Sequence, residues 1–290
     1  MTKNRIMITG ANGQLGSEIR ALAAQYLDLD FIFTDIHDLD ILNVVAVERF
    51  IATNGVGIIV NCAAYTAVDK AESEVALCER INRDAVGNLG RAATQNKARV
   101  IHVSTDYVYS GTHYRPYVES DTVAPTSVYG MTKLQGEQAL MAVAPASLIF
   151  RTSWLYSTYG SNFVKTMIRL GAEREAVDVI FDQIGTPTYA ADLAQAILDI
   201  VQSGKFVPGI YNYSNEGVCS WYDFAIEIHK LAGLNSCKVK PIEGSEYPMA
   251  AARPFYSVMN KKKVKNTFGL EIPHWRDGLQ RCMARFKQLT

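Results

Sequence analysis

Through the first half of this chain, short apolar runs alternate with longer amphipathic stretches. The runs at residues 5–9, 31–34, 57–61, 99–103 and 147–150 read as strands. The third, Gly57-Ile58-Ile59-Val60-Asn61, shows no polar alternation. Strands buried on both faces of a parallel sheet have that character. Between the runs the period lengthens to that of helices, up to about Gln25 and over residues 44–52, 72–95 and 129–144. Beyond Trp154 the pattern loosens. Helices are predicted over 162–170, 190–203, 221–231 and 275–288, with short strands over 176–181, 210–213 and 238–242. Leu193, Ile197, Ile200 and Val201 share the core face of the second of these helices, and Ser220 is placed to cap the third. The order predicts an α/β fold. Residues 1–155 form a Rossmann-like doubly wound parallel sheet. Residues 156–290 form a smaller C-terminal α/β substrate-binding lobe, some segments of which return to the first domain.

Composition narrows the function by exclusion. The 290 residues carry 29 basic and 29 acidic side chains, which gives no electrostatic reason to expect nucleic acid or an anionic membrane as partner. No apolar run approaches the roughly 20 residues of a membrane span. The first five residues lead straight into a strand with no signal-peptide pattern, so a cytoplasmic location is expected. Cys62, Cys78, Cys219, Cys237 and Cys282 are far apart and read as reduced thiols. The histidines are equally scattered, and no metal site is expected.

Candidate chemistry begins at Gly10-Ala11-Asn12-Gly13-Gln14-Leu15-Gly16, between the first strand and the first helix. Gly10, Gly13 and Gly16 let the backbone turn tightly and approach a pyrophosphate, whose charge sits on the exposed N–H groups of the helix start. A tight turn without ligand has the same look. The second strand ends on Asp35, 19 residues after Gly16, where a carboxylate accepts from adenosine ribose hydroxyls and repels a 2′-phosphate. The cofactor is therefore NADH or NADPH, with NADH mildly favoured. Asp40 lies near the adenine in such sites, or else caps the helix that follows. After the third strand, Ala63 and Ala64 leave room for a cofactor against the backbone. Asn82 lies among Ala, Leu and Ile and is expected to brace a neighbouring backbone. Ser104-Thr105-Asp106-Tyr107 stands at the end of the fourth strand, where the same residues also suit a turn. Lys261-Lys262-Lys263 reads as a solvated surface patch.

The remaining stretch is Val128-Tyr129-Gly130-Met131-Thr132-Lys133. Tyr129 and Lys133 stand four apart, on one face of a helix. A phenol beside a cation loses its proton more easily, as a general acid working on a carbonyl oxygen near neutral pH requires. A solvated helix face has the same spacing.

In this order the motifs resemble those of the extended short-chain dehydrogenase/reductases, and among them the dTDP-4-dehydrorhamnose reductase family. The resemblance spans nearly the whole chain. It is carried most specifically by Thr66-Ala67-Val68-Asp69-Lys70-Ala71-Glu72 and by Phe150-Arg151-Thr152-Ser153-Trp154. Asp182-Gln183-Ile184-Gly185-Thr186-Pro187-Thr188 and Ala252-Arg253-Pro254 also fit. It implies reduction of the 4-keto group of dTDP-4-dehydro-L-rhamnose to dTDP-L-rhamnose, with Tyr129 as proton donor. Lys133 would lower the phenol's pKa and bond the nicotinamide ribose, and Thr105 would orient the substrate oxygen. Gly13, Gln14 and Leu15 would lie along the pyrophosphate, and Asp35, Asp40, Ile41, Ala63, Ala64 and Tyr65 along the rest of the cofactor. Thr105, Asp106 and Trp154 would face the nucleotide sugar, with Arg253 at its diphosphate or deoxythymidine end. Some members of the family dimerise around magnesium. Glu18 matches one acidic position there, but Ala191 stands at a second and the C-terminus lacks a third, so a monomer or weak homodimer is expected. Two other readings share these motifs: a reductase or epimerase of another nucleotide sugar, and a non-catalytic regulatory subunit on the same fold.

Overall fold

The structure is a computed structural model and describes residues 4–289. Residues 1–3, read above as the lead into the first strand, lie outside the described residues. The longer strands are β1 (Asn4–Thr9), β2 (Leu29–Thr34), β3 (Ile58–Asn61), β4 (Arg99–Thr105), β5 (Leu148–Thr152), β6 (Ala176–Ile180), β7 (Gly209–Asn212) and β8 (Lys238–Ile242). Six of them form one sheet in the order β7-β5-β4-β3-β1-β2, with every pairing parallel.

The unbroken apolar runs have a direct cause. Ile6 and Ile8 pack on one face with Leu15 and Ile19 of the Gln14–Leu22 helix and with Leu193, Ile197 and Val201 of the Ala190–Ser203 helix. Met7 points the other way, among Val47, Ile51, Leu89 and Leu140. Successive strand residues face opposite sides, and here helices cover both, so neither side has a polar share. The chain after Trp154 returns to this sheet three times: in the Ala190–Ser203 helix, in β7, and in the Lys262–Phe268 helix through Val264. A separate core gathers Val164, Met167, Val177, Val179, Phe224, Ile228, Trp275 and Leu279 around β6, β8 and their helices.

Three expectations are corrected. The helix expected over 72–95 starts at Val75, after the short Val68–Ala71 helix, and runs on to Gln95 through a π turn at Arg80–Asp84. Here the Val128–Val143 helix passes so close that a Cβ on Gly136 would run into the Asn82 carbonyl oxygen. Asn43, not Asp40, caps the Val44–Asn54 helix, accepting from the Ala46 N–H at 3.1 Å. Lys261 is buried and paired with Glu216 at 3.3 Å, so the lysine triplet is not a uniformly solvated patch.

Candidate active site

The chain leaves β1 for β2 on one side and then crosses to β3 on the other, so a crevice opens between the carboxyl ends of β1 and β3. The glycine turn occupies it. Gly10 has φ +63°, and a Cβ there would lie 2.7 Å from Ala63 Cα, so only glycine fits. A Cβ on Gly16 would meet the Gly10 oxygen at 2.5 Å. Gly13 begins the Gln14–Leu22 helix with no side-chain cap, which leaves the first N–H groups of the helix without side-chain partners. This uncapped, Cβ-free cradle fits the pyrophosphate of a dinucleotide. Asp35 accepts from the Asn12 N–H at 2.9 Å and so sits against the turn. Asp40 and Ile41 follow β2, while Ala63, Ala64 and Tyr65 follow β3. Gln14 donates to the Leu155 carbonyl and accepts from Asn162 at 2.9 Å, tying the turn to the 155–162 segment.

From this turn a cavity of about 1120 Å³ runs toward the second core. Gly13, Gln14, Leu15 and Ala64 line one end, and Thr105, Asp106, Tyr129 and Lys133 line the middle. The Val128–Val143 helix delivers the tyrosine and lysine. Ser127 caps it, accepting from the Gly130 N–H at 3.2 Å, and Glu72 accepts from the Val128 N–H at 2.9 Å. Asn82 braces the neighbouring backbone as expected, bonding both the N–H and the carbonyl of Tyr65.

The protonation of the pair departs from the spacing argument. Burial pushes the Tyr129 phenol above its ordinary value, a hydrogen bond with Thr105 acts to lower it, and Asp106 raises it further. Lys133 spends its ammonium on the Val103 carbonyl at 2.7 Å. Burial draws that ammonium down to about 8, with Glu137 resisting most. Sharing a helix face brings the two side chains to one cavity but does not by itself lower the phenol's pKa.

Trp154 closes the opposite wall. Among the described residues it is one of two non-glycine residues with positive φ, at +47°, a conformation that costs an ordinary side chain energy and concentrates at functional sites. Its ring stacks on Trp221 with centroids 3.6 Å apart, and a Cβ on Gly185 would strike it at 2.7 Å. Arg253 also lines the cavity, with its fork on Asp69 at 3.0 and 2.6 Å. Asp69 additionally accepts from the Ala251 N–H, so the loop before Arg253 is fastened to the segment after β3.

Beneath the pair lies a buried ion pair to which the sequence reading gave no role. Arg151 and Glu137 meet at 2.6 Å with side chains only 3% exposed, and Ser104 donates to the same carboxylate at 2.5 Å. One signal was available: Arg151 interrupts an apolar strand, and a buried charge requires a partner. Glu18 is fully buried, held by Ser157 at 2.5 Å and Arg285 at 2.6 Å. Among the described residues, no group of three or more His, Cys, Asp or Glu is arranged to hold a metal, and no helix is long and apolar enough to cross a membrane.

The family model described as RmlD substrate binding domain matches residues 4–288. A dTDP-4-dehydrorhamnose reductase of Aggregatibacter actinomycetemcomitans is 39% identical over 289 residues, 97% of this chain and 98% of that protein. The dTDP-4-dehydrorhamnose reductase of Bacillus anthracis, solved in complex with NADP, is 40% identical with a TM-score of 0.93. That match covers 98% of this chain and 100% of that one. A Streptomyces antibioticus protein, a probable dTDP-4,6-dihydroxy-2-methyloxan-3-one 4-ketoreductase, is 38% identical over 278 residues, 95% of this chain and 93% of its own length.

Proposed function

The chain is an oxidoreductase of the dTDP-4-dehydrorhamnose reductase family, and from that premise we infer that Tyr129 protonates the 4-keto oxygen of dTDP-4-dehydro-L-rhamnose as it is reduced to dTDP-L-rhamnose. The observation that carries this reading is the meeting of Thr105, Tyr129 and Lys133 on one cavity wall, reached from a glycine turn fit for a dinucleotide. NADH or NADPH, when bound, supplies the hydride. The Gly10–Gly16 turn would hold its pyrophosphate, and Asp35, Asp40, Ile41, Ala63, Ala64 and Tyr65 the remainder. Thr105 holds the ketone oxygen within reach of the Tyr129 hydroxyl, which passes its proton there. Lys133 supplies positive charge beside the tyrosinate that results.

Asp106, Trp154 and Arg253 line the part of the cavity that would take the sugar nucleotide. The Trp154 ring, where it lines the cavity, suits the apolar side of a deoxysugar, and an arginine fork suits a diphosphate. We divide the chain accordingly. Residues 1–155, with the returning Ala190–Ser203 helix, β7 and the Lys262–Phe268 helix, hold the cofactor, and the second core holds the sugar.

The test follows nicotinamide absorbance with purified protein and dTDP-4-dehydro-L-rhamnose, with NADH and NADPH in parallel. Oxidation that yields dTDP-L-rhamnose is expected. Tyr129→Phe is expected to lower turnover about 10²–10⁴-fold. Oxidation only with another dTDP-4-keto sugar would move the substrate assignment toward the Streptomyces relative. A Tyr129→Phe variant as fast as the parent would remove the proton donor.

A further inference from the structure

Lys133 is 1% exposed, and a buried ammonium loses its charge unless an anion faces it. The titratable groups around it come from three elements besides its own. Cys62 stands at the end of β3, Cys78 in the Val75–Glu79 helix, and His102 on β4. Tyr129 and Glu137 lie one turn to either side on the lysine's own helix. Burial pushes the Cys62 thiol up to about 12 and raises Cys78, although Lys133 pulls both the other way. Burial first, then Lys133 itself, hold the His102 imidazole well below its ordinary value. Burial raises the Tyr129 phenol. All four are therefore neutral near pH 7, and Glu137, paired with Arg151, is the one carboxylate among these groups.

Glu137 is also unusually well held. Arg151 donates from Nε at 3.0 Å and from Nη2 at 2.6 Å, and Ser104 donates at 2.5 Å. Arg151 is fixed in turn by Tyr109 at 2.9 Å, and Tyr109 donates to Asn212 on β7 at 3.1 Å. The carboxylate thus joins the Val128–Val143 helix to β4, β5 and β7. Ser104 immediately precedes Thr105, and Lys133 is one helical turn from Glu137.

We propose that Glu137, clamped by Arg151 and Ser104, is the positioning residue of the catalytic pair: its charge keeps Lys133 an ammonium, and its bond to Ser104 fixes the strand end that carries Thr105. The proposal rests on the reading of Tyr129 and Lys133 as the catalytic pair. Glu137 touches neither substrate nor cofactor in this role. It acts through its two neighbours.

The test titrates Lys133 directly, by NMR of protein labelled with ¹³C-lysine and free of cofactor, the resonance being assigned by its loss in Lys133→Met. The parent midpoint is expected near about 8. Glu137→Gln keeps the shape, removes the charge, and should lower the midpoint by about one pH unit or more. That single change leaves Arg151 unpaired, so Glu137→Gln/Arg151→Met carries the test if the first variant does not fold, with folding checked by circular dichroism. The alkaline limb of kcat/KM should move to lower pH in step with the resonance. Because the double variant also removes Arg151's opposing charge, its midpoint is compared with that of Arg151→Met, and equal midpoints in those two, or an unmoved midpoint in a folded Glu137→Gln, overturn the proposal. Full turnover and cofactor binding in Lys133→Met would instead overturn the catalytic reading, a result distinct from the resonance shift.

Discussion

Replacing Asp106 with asparagine tests whether the cavity holds a carboxylate at the expense of stability. Asp106 is 2% exposed. Thr105 donates to its Oδ1 at 3.1 Å. The Ser257 hydroxyl is near enough to lower its pKa, yet neither that hydroxyl nor Asp106 Oδ2 completes a hydrogen bond. Burial outweighs both hydroxyls and raises the group from 3.8 to about 7. The folded protein therefore binds this proton more tightly than the unfolded chain does. The stability it contributes is fully present below pH 3.8 and is lost as pH rises through about 7. A shift of about three pH units, at about 1.36 kcal/mol each, sets a ceiling of about 4 kcal/mol. Relaxation around the ionised group reduces this, and about 2–3 kcal/mol is the working figure.

An asparagine side chain in its place would keep the shape and carry no charge at any pH. Asp106→Asn should therefore be more stable than the parent at pH 9 by that amount, which is about 3–5 °C in melting temperature for a chain of this size. Near pH 4 the two should melt together. Thermal melts at both pH values decide it. Parallel curves, with the same difference at pH 4 and pH 9, would refute the burial argument. The same variant should lose turnover, and stability gained with activity lost is what a group strained for function produces.

Two further outcomes follow from close contacts. Gly136→Ala should destabilise by about 1–3 kcal/mol, because its new methyl meets the Asn82 carbonyl, which is held by the π turn. A urea midpoint equal to the parent's would show that the helices can part there without loss. Asp69→Asn should cost less than about 1 kcal/mol of stability, since the Asp69 side chain is 48% exposed. It should nonetheless raise KM for the nucleotide sugar several-fold with kcat nearly unchanged, because the segment carrying Ala251 and Arg253 loses its anchor. Steady-state kinetics that leave KM unmoved would remove Asp69 from this task.

The sheet was legible because burial on both faces erases polar alternation, as at Ile58–Asn61, and the Ser220 cap was legible because capping is local. The π turn inside the Val75–Gln95 helix was not: it lies where Gly136, some fifty residues away in sequence, admits the Asn82 carbonyl. Arg151 and Glu137 were equally hard to read, since each alone is an ordinary charge and only the fold buries them together.

The same limit explains the sign of the Tyr129 shift. Spacing places Tyr129 and Lys133 on one face but says nothing about what surrounds them, and burial is the larger influence on both. The shift meets one demand on a general acid, that it be loaded, while making its proton harder to release. A proton donor must arrive protonated, and a phenol raised by burial is loaded at any working pH. The lysine is then needed after transfer rather than before it, when a tyrosinate is left in a site too dry to solvate it. For that task Lys133 must still be charged, which places the demand on Glu137.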